Sequence, residues 1–231
     1  MDRERRFAAL FDMDGVVLDT EGQYDNFWQE QGKRFHPDMP EFHKVIKGQT
    51  IERILKNYFE GDVALQQQIS RELDEFEYRM DFPYFPGVEQ FIRTLQKHGV
   101  RTALVTSSNN KKMAHVLRVH PEFTELFECM VTADKITRSK PDPECYLLAA
   151  RELQVKPDDC CVFEDSFSGI EAGRRAGMKV IGLATTNSRE KIQDKVDRVL
   201  SDFTGCVYDE FIGLMDKKRL CQNAGTTFFY V

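Results

Sequence analysis

Short apolar runs, each closed by a polar or glycine-bearing turn, alternate along most of this chain with stretches in which apolar residues recur every three or four positions. Phe7-Ala8-Ala9-Leu10-Phe11 ends at Asp12-Met13-Asp14-Gly15, and Thr102-Ala103-Leu104-Val105 ends at Thr106-Ser107-Ser108-Asn109-Asn110. Cys160-Cys161-Val162-Phe163 ends at Glu164-Asp165, Val180-Ile181-Gly182-Leu183 follows, and a shorter run centres on Cys129-Met130-Val131. Uninterrupted runs of this length predict strands buried on both faces, as in a parallel sheet. The intervening spacing predicts helices from Val88 to a glycine cap at Gly99, from Lys111 to about Val119, from Pro143 to Leu153 and from about Ser168 to Ala176. A last helix is predicted over Phe203 to Met215. Strands alternating with helices imply a doubly wound α/β core with helices on both faces of the sheet.

One region breaks the alternation. Tyr24, Phe27, Trp28 and Gln31 recur at helical spacing, a second helix is predicted from Ile51 to Phe59, and a third from about Asp62 to Met80, with Ile69, Leu73 and Phe76 on one face. No strand interrupts it, and Phe82-Pro83-Tyr84-Phe85-Pro86-Gly87 punctuates its end. The expected organisation is a core of residues 1–19 and 86–231 with a small all-helical cap inserted at 20–85. The aromatic stripe that begins at Tyr24 reads as the core of that insertion, with a ligand-facing wall as the alternative.

Composition narrows the partners. The chain has 231 residues, enough to bury a sizeable core, and a formal charge of −6 with a pI near 5.5. That balance argues against nucleic acid or an anionic membrane as the main partner. Met1-Asp2-Arg3-Glu4-Arg5 has no apolar region of signal-peptide length behind it, and no stretch has the length of a membrane span. The six cysteines (129, 145, 160, 161, 206 and 221) show no CxxC spacing and fall mostly in apolar segments, as reduced cysteines of a cytoplasmic protein do. A monomer is expected. Residues 217–231, basic, then polar, then aromatic, receive no assignment.

The chemistry collects where the apolar runs stop. The carboxyl ends of strands in an open parallel sheet lie side by side and form the ligand crevice. Asp12 and Asp14 there concentrate negative charge across one turn, which calls for a cation or a shared proton; a hard divalent cation with oxygen ligands suits it. A later strand end adds Thr106, another adds Glu164 and Asp165, and the loop Arg138-Ser139-Lys140-Pro141-Asp142-Pro143 adds a lysine ahead of two prolines. Taken singly, Thr106 to Ser108 could be a helix N-cap, Lys140 a solvated loop lysine, and Glu164 with Asp165 a cap and a surface charge. Together they make a phosphate site, in which a cation and a lysine neutralise oxygens while a hydroxyl and backbone N–H groups orient them.

The motifs Asp12-Met13-Asp14-Gly15-Val16-Val17-Leu18-Asp19-Thr20, Val105-Thr106-Ser107, Ser139-Lys140-Pro141 and Glu164-Asp165-Ser166-Phe167-Ser168-Gly169-Ile170 resemble, in order, those of the haloacid dehalogenase superfamily. The branch resembled is that of phosphatases and phosphomutases with a small helical cap, and the resemblance runs from about Phe7 to Leu214. It implies Asp12 as nucleophile, Asp14 as general acid and base, Thr106 holding the phosphoryl group, and Lys140 bridging nucleophile and phosphate. Mg²⁺ would sit on Asp12, Glu164 and Asp165, directly or through water, and on the Asp14 carbonyl. Gly15, Ser107, Ser108 and Asn110 would approach the substrate from the core. The cap segment Lys47-Gly48-Gln49-Thr50 resembles the loop that β-phosphoglucomutases place over the sugar phosphate. Asp14 itself favours phosphate esters over the dehalogenase and phosphonatase branches, which lack it.

Two departures bear on the reaction. Four residues after Thr20 mutases carry histidine, and this chain has Tyr24; four after Lys47 they carry an arginine for the second phosphate, and this chain has Ile51. The expected activity is therefore a Mg²⁺-dependent phosphatase acting on a small phosphate ester, a sugar phosphate, through an aspartyl-phosphate. A β-phosphoglucomutase is the alternative, and Ser108 and Asn110 do match mutase positions. A phospho-receiver domain also uses aspartates, a hydroxyl and a lysine, but has no use for an insertion between about Glu21 and Phe85.

Overall fold

The computed structural model describes residues 6–47 and 49–216, so Gly48 and the tail 217–231 lie outside the described residues. Six strands form one all-parallel sheet in the order β3-β2-β1-β4-β5-β6. They are β1 (Ala8–Phe11), β2 (Arg101–Val105), β3 (Cys129–Val131), β4 (Cys160–Glu164), β5 (Lys179–Leu183) and β6 (Arg198–Leu200). Four helices, α1 (Glu21–Phe35), α2 (Phe42–Val45), α3 (Ile51–Tyr58) and α4 (Val63–Arg79), precede α5 (Val88–Lys97). Then come α6 (Asn110–Val119), α7 (Phe123–Leu126), α8 (Glu144–Glu152), α9 (Phe167–Arg175), α10 (Arg189–Ile192) and α11 (Tyr208–Met215).

The apolar runs behave as their composition demands. All four residues of β1 are fully buried, and they alternate between two cores. Ala9 and Phe11 join α5, α6 and α11 on one face, while Ala8 and Leu10 join α8 and α9 on the other. On the first face Phe11 stacks on Phe163 of β4 with centroids 4.5 Å apart and planes 6° from parallel. That stack lies directly beneath Asp12 and Glu164, the next residue of each strand, so strand pairing (Phe11 opposite Phe163) fixes how far apart the two carboxylates start. Helix starts are set by capping: Thr50, Asp62, Asn109 and Ser166 each accept a hydrogen bond from the backbone N–H three residues on.

Helices α1 to α4 surround a third apolar cluster of Trp28, Phe42, Ile46, Ile54, Phe59, Ile69 and Leu73. The chain enters and leaves this insertion through a paired neck, in which Leu18 and Tyr84 form an antiparallel bridge, Asp19 N–H donates to the Pro83 carbonyl at 2.8 Å and Phe85 N–H to the Val17 carbonyl at 3.0 Å. The aromatic stripe divides: Trp28 is buried in the insertion's core and also lines the cleft beneath, Phe27 stacks on Phe76, and Tyr24 turns to the cleft.

The predicted helix over Phe203 to Met215 is corrected to Tyr208–Met215. Gly205 has a φ of +74° and the Asp202 carboxylate caps Thr204 N–H, so the segment before Tyr208 is a turn. Phe203 is apolar for a different reason: its ring packs against Phe11, Phe91 and Phe163. Strand β6 and the one-turn helices α2, α7 and α10 went unpredicted because none has a run long enough to set a period. Among the described residues no helix is long and apolar enough to cross a membrane.

Candidate active site

The cleft lies at the carboxyl ends of β1, β2 and β4, roofed by the helical insertion. Lys140 is at its base, 3% exposed. Its Nζ donates to Asp12 Oδ1 at 2.6 Å, Glu164 Oε1 at 2.7 Å and the Val105 carbonyl at 3.3 Å. Burial would drive such an amine toward neutrality, but Asp12 and Glu164 hold it protonated, well above the usual lysine range. It therefore joins residues from three strand ends through one charge.

Glu164 is fully buried and fully committed. Oε1 accepts from Lys140 and from the Tyr146 hydroxyl at 2.9 Å, while Oε2 accepts from Asp165 N–H, Ser166 N–H and Ser166 Oγ, each at 3.0 Å. The backbone makes room for this: a Cβ on Gly169, at the start of α9, would collide with the Glu164 carboxylate, and one on Gly15, whose φ is +79°, would collide with that of Asp165. Two glycines are thus required by side chains that pack against bare backbone.

Carboxylate oxygens of Asp12, Glu164 and Asp165 lie within 4.8 Å of one another. Burial, opposed by Lys140 and reinforced by Glu164 and Asp14, pushes Asp12 up to about 8, and burial beside Glu164 pushes Asp165 well above the carboxylate range. Clustered, buried oxygens that resist ionising together fit a hard divalent cation, which would supply the missing charge. With Glu164 saturated by five donors, Asp12 and Asp165 are the side chains with oxygens to offer; Glu164 fits a place behind them.

Asp14 points elsewhere. Its carboxylate accepts from Thr20 Oγ1 at 2.5 Å, from Ser108 Oγ at 3.2 Å and from Lys112 Nζ at 2.6 Å to each oxygen. Lys112 is 4% exposed and also sits 4.3 Å above the ring of Tyr24, whose hydroxyl donates to Glu77 at 2.8 Å. Lys112 is the main cleft residue that the strand-end reading missed. It lies on α6, outside every motif, and its signal was only its place one turn beyond Ser108.

The other expected residues divide. Thr106 is buried, its Oγ1 accepting Ser108 N–H at 3.0 Å, and Ser107 and Ser108 line the cleft beside it. Asn110 is not brought in: its side chain accepts from Thr132 Oγ1 at 2.9 Å, and Asn109, which caps α6, takes the place on the cleft wall. On the insertion side Lys47 and Gln49 face the cleft, whereas Thr50 is spent on capping α3. Gly48 lies outside the described residues. Lys47 is held by carboxylate oxygens of Glu21 and Asp25, each at 3.0 Å. Arg53 reaches the core instead, Nη1 donating to the Lys140 carbonyl at 3.3 Å. Thr186, after β5, completes the wall beside Asp165.

Residues 8–177 match the model of the haloacid dehalogenase-like hydrolases. The chain is 32% identical over 187 residues to the phosphorylated carbohydrates phosphatase of Thermotoga maritima, covering 75% of this chain and 83% of that one. It is 30% identical over 202 residues to the bifunctional riboflavin kinase/FMN phosphatase of Arabidopsis thaliana, covering 84% of this chain but spanning only 52% of that protein. Among solved structures, a β-phosphoglucomutase from Clostridium difficile superposes with a TM-score of 0.75 at 22% identity, over 93% of this chain and 99% of its own.

Proposed function

The chain belongs to the haloacid dehalogenase-like hydrolase family, in its phosphatase branch, and on that footing we propose that it hydrolyses a small phosphate ester, a sugar phosphate, through an aspartyl-phosphate on Asp12. The observation that carries this reading is the buried Lys140, hydrogen-bonded to Asp12 and Glu164 at the meeting point of three strand ends. Asp12 presents an oxygen to phosphorus: an O–P bond forms to it while the bond to the leaving oxygen breaks. Lys140 offsets the charge of the nucleophile and of the phosphoryl oxygens, and the Thr106–Ser107 strand end orients the group. Asp14, whose carboxylate accepts from Thr20, Ser108 and Lys112 as it stands, would turn from Lys112 and take up a proton from solvent before giving it to the departing oxygen. It then takes one from the water that attacks phosphorus and frees Asp12. Mg²⁺ would be held by Asp12 and Asp165 with the Asp14 carbonyl, Glu164 standing behind, and would neutralise the phosphoryl oxygens.

Residues 20–85 would form a cap whose fit to the leaving group selects the substrate, and its opening at the neck would admit it. Two features support hydrolysis over isomerisation. Tyr24 and Ile51 line the cleft at positions where the mutase resemblance calls for histidine and arginine. The test is phosphate release from a panel of sugar phosphates with Mg²⁺ or chelator, alongside β-glucose 1-phosphate with glucose 1,6-bisphosphate followed for glucose 6-phosphate. Magnesium-dependent release, lost in Asp12→Asn, is expected. Formation of glucose 6-phosphate with little free phosphate would replace this reading with the mutase.

A further inference from the structure

The wall that the insertion gives the cleft is acidic. The insertion contributes Glu21, Asp25 and Glu77 to it, beside an apolar patch that includes Trp28, Ile51 and Leu73. Among the described residues lining the cleft the cations are Lys47, Lys112 and Lys140, and each is already engaged. Lys140 serves Asp12 and Glu164, Lys112 holds both oxygens of Asp14, and Lys47 lies 3.0 Å from both Glu21 and Asp25. Against that wall a second phosphate would meet three carboxylates and no unengaged lysine; His43, whose Nδ1 has no partner, is the lining residue left with a ring nitrogen to offer it. Pulling Lys47 onto it would leave Glu21 and Asp25, whose side chains are 24% and 38% exposed, facing each other and the phosphate without a counter-charge.

We propose that Glu21 and Asp25 are specificity determinants that reject a second phosphate by holding Lys47, so that the substrate is a monophosphate whose remainder bears hydroxyls and no further negative charge. Juxtaposed like charges repel, and specificity is commonly built from such repulsion as much as from attraction. Hydroxyls suit the same wall: they donate to Glu21, Asp25 and Glu77 and accept from Lys47 without breaking the cluster, while the apolar face of a sugar ring fits the apolar patch beside it. The inference rests on the phosphatase reading and narrows it.

The test is kcat/KM for phosphate release by the full chain with Mg²⁺. The best sugar monophosphate of a panel is paired with its bisphosphate, for example fructose 1-phosphate with fructose 1,6-bisphosphate. The wild type is expected to favour the monophosphate at least about tenfold, as like-charge rejection requires. In E21Q/D25N that ratio should shrink about fivefold or more, because Lys47 is released to the distal phosphate; a ratio is unaffected by any loss common to both substrates. The single variants E21Q and D25N, each expected to shift the ratio part way, serve if the double variant does not fold. Equal kcat/KM in the wild type, or an unchanged ratio in every variant, overturns the inference while leaving Asp12-dependent hydrolysis standing. Failure to hydrolyse any monophosphate overturns the phosphatase reading and this inference with it.

Discussion

Replacing Lys112 by methionine tests how the cleft controls Asp14. The substitution keeps the unbranched side chain one atom short and removes its charge, leaving Asp14 with Thr20 and Ser108 as donors. Breaking a buried ion pair by deleting one partner typically destabilises by about 3–5 kcal/mol, because the remaining charge is stranded. Here the lower end applies: the Asp14 side chain is 18% exposed against 5% for Lys112, so water reaches the carboxylate that remains. A loss of about 3 kcal/mol corresponds to a fall of roughly 6–12 °C in Tm for a chain of this size. The double-mutant cycle with Asp14→Asn isolates the pair: the double variant should recover about 2 kcal/mol relative to the sum of the single losses. Thermal and urea unfolding of the four proteins supply the cycle, and kcat on the preferred ester should fall about a hundredfold in K112M as Asp14 loses its orientation. Additive effects, or K112M within about 0.5 kcal/mol of the wild type, would show that the contact does not hold Asp14.

Asp12, raised to about 8 from an ordinary 3.8, retains in the folded protein a proton that the unfolded chain releases near pH 4. The folded state thus binds more protons between those values, so stability should fall as pH rises through that window. In chelator, Tm should drop from pH 6 to pH 8.5, the decline should be shallower in D12N, and Mg²⁺ should raise Tm more at the alkaline end; a flat or rising profile refutes the assignment. Gly169→Ala drives a Cβ into the Glu164 carboxylate and should destabilise by about 3 kcal/mol or more in urea unfolding, whereas a neutral result would mean that Glu164 can shift freely. Asp74 on α4 binds Lys111 and His115 of α6 across the boundary between insertion and core, so Asp74→Asn should lower kcat/KM by about threefold and weaken its dependence on added salt. An unchanged salt dependence would remove these ion pairs from any part in closure.

The legibility of the site in the sequence followed the sheet. Asp12, Thr106, Glu164 and Asp165 each follow an apolar run, and a parallel strand leaves its next residue at the crevice whatever the rest of the chain does. Lys140 was legible through its loop of prolines. What escaped was set by rotation and by distance in the sequence. Asn109 and Asn110 differ by about 100° around a helix, enough to put one in the cleft and turn the other to Thr132. Lys112 depends on the same rotation of α6, and its approach to Asp14 spans 98 residues. The partners of Lys47 could not be read either, because Glu21 and Asp25 lie on α1, whose facing the spacing alone leaves open. Charges at strand ends are fixed by backbone geometry, whereas charges on helices are fixed by packing.

The paired neck at Leu18 and Tyr84 has a consequence for how such an enzyme can be altered. Bridged residues of antiparallel strands sit about 5 Å apart, so the two ends of the insertion present themselves as one cut edge, narrow enough to be spanned by a two-residue hairpin turn. Helical segments of other lengths and sequences can therefore be spliced at that edge while the pairing of the sheet stays as it is, provided they replace the ties that Arg53 makes to the Lys140 carbonyl and Asp74 to α6. A library of roofs grafted onto one unaltered floor would let substrate preference be varied as an independent part.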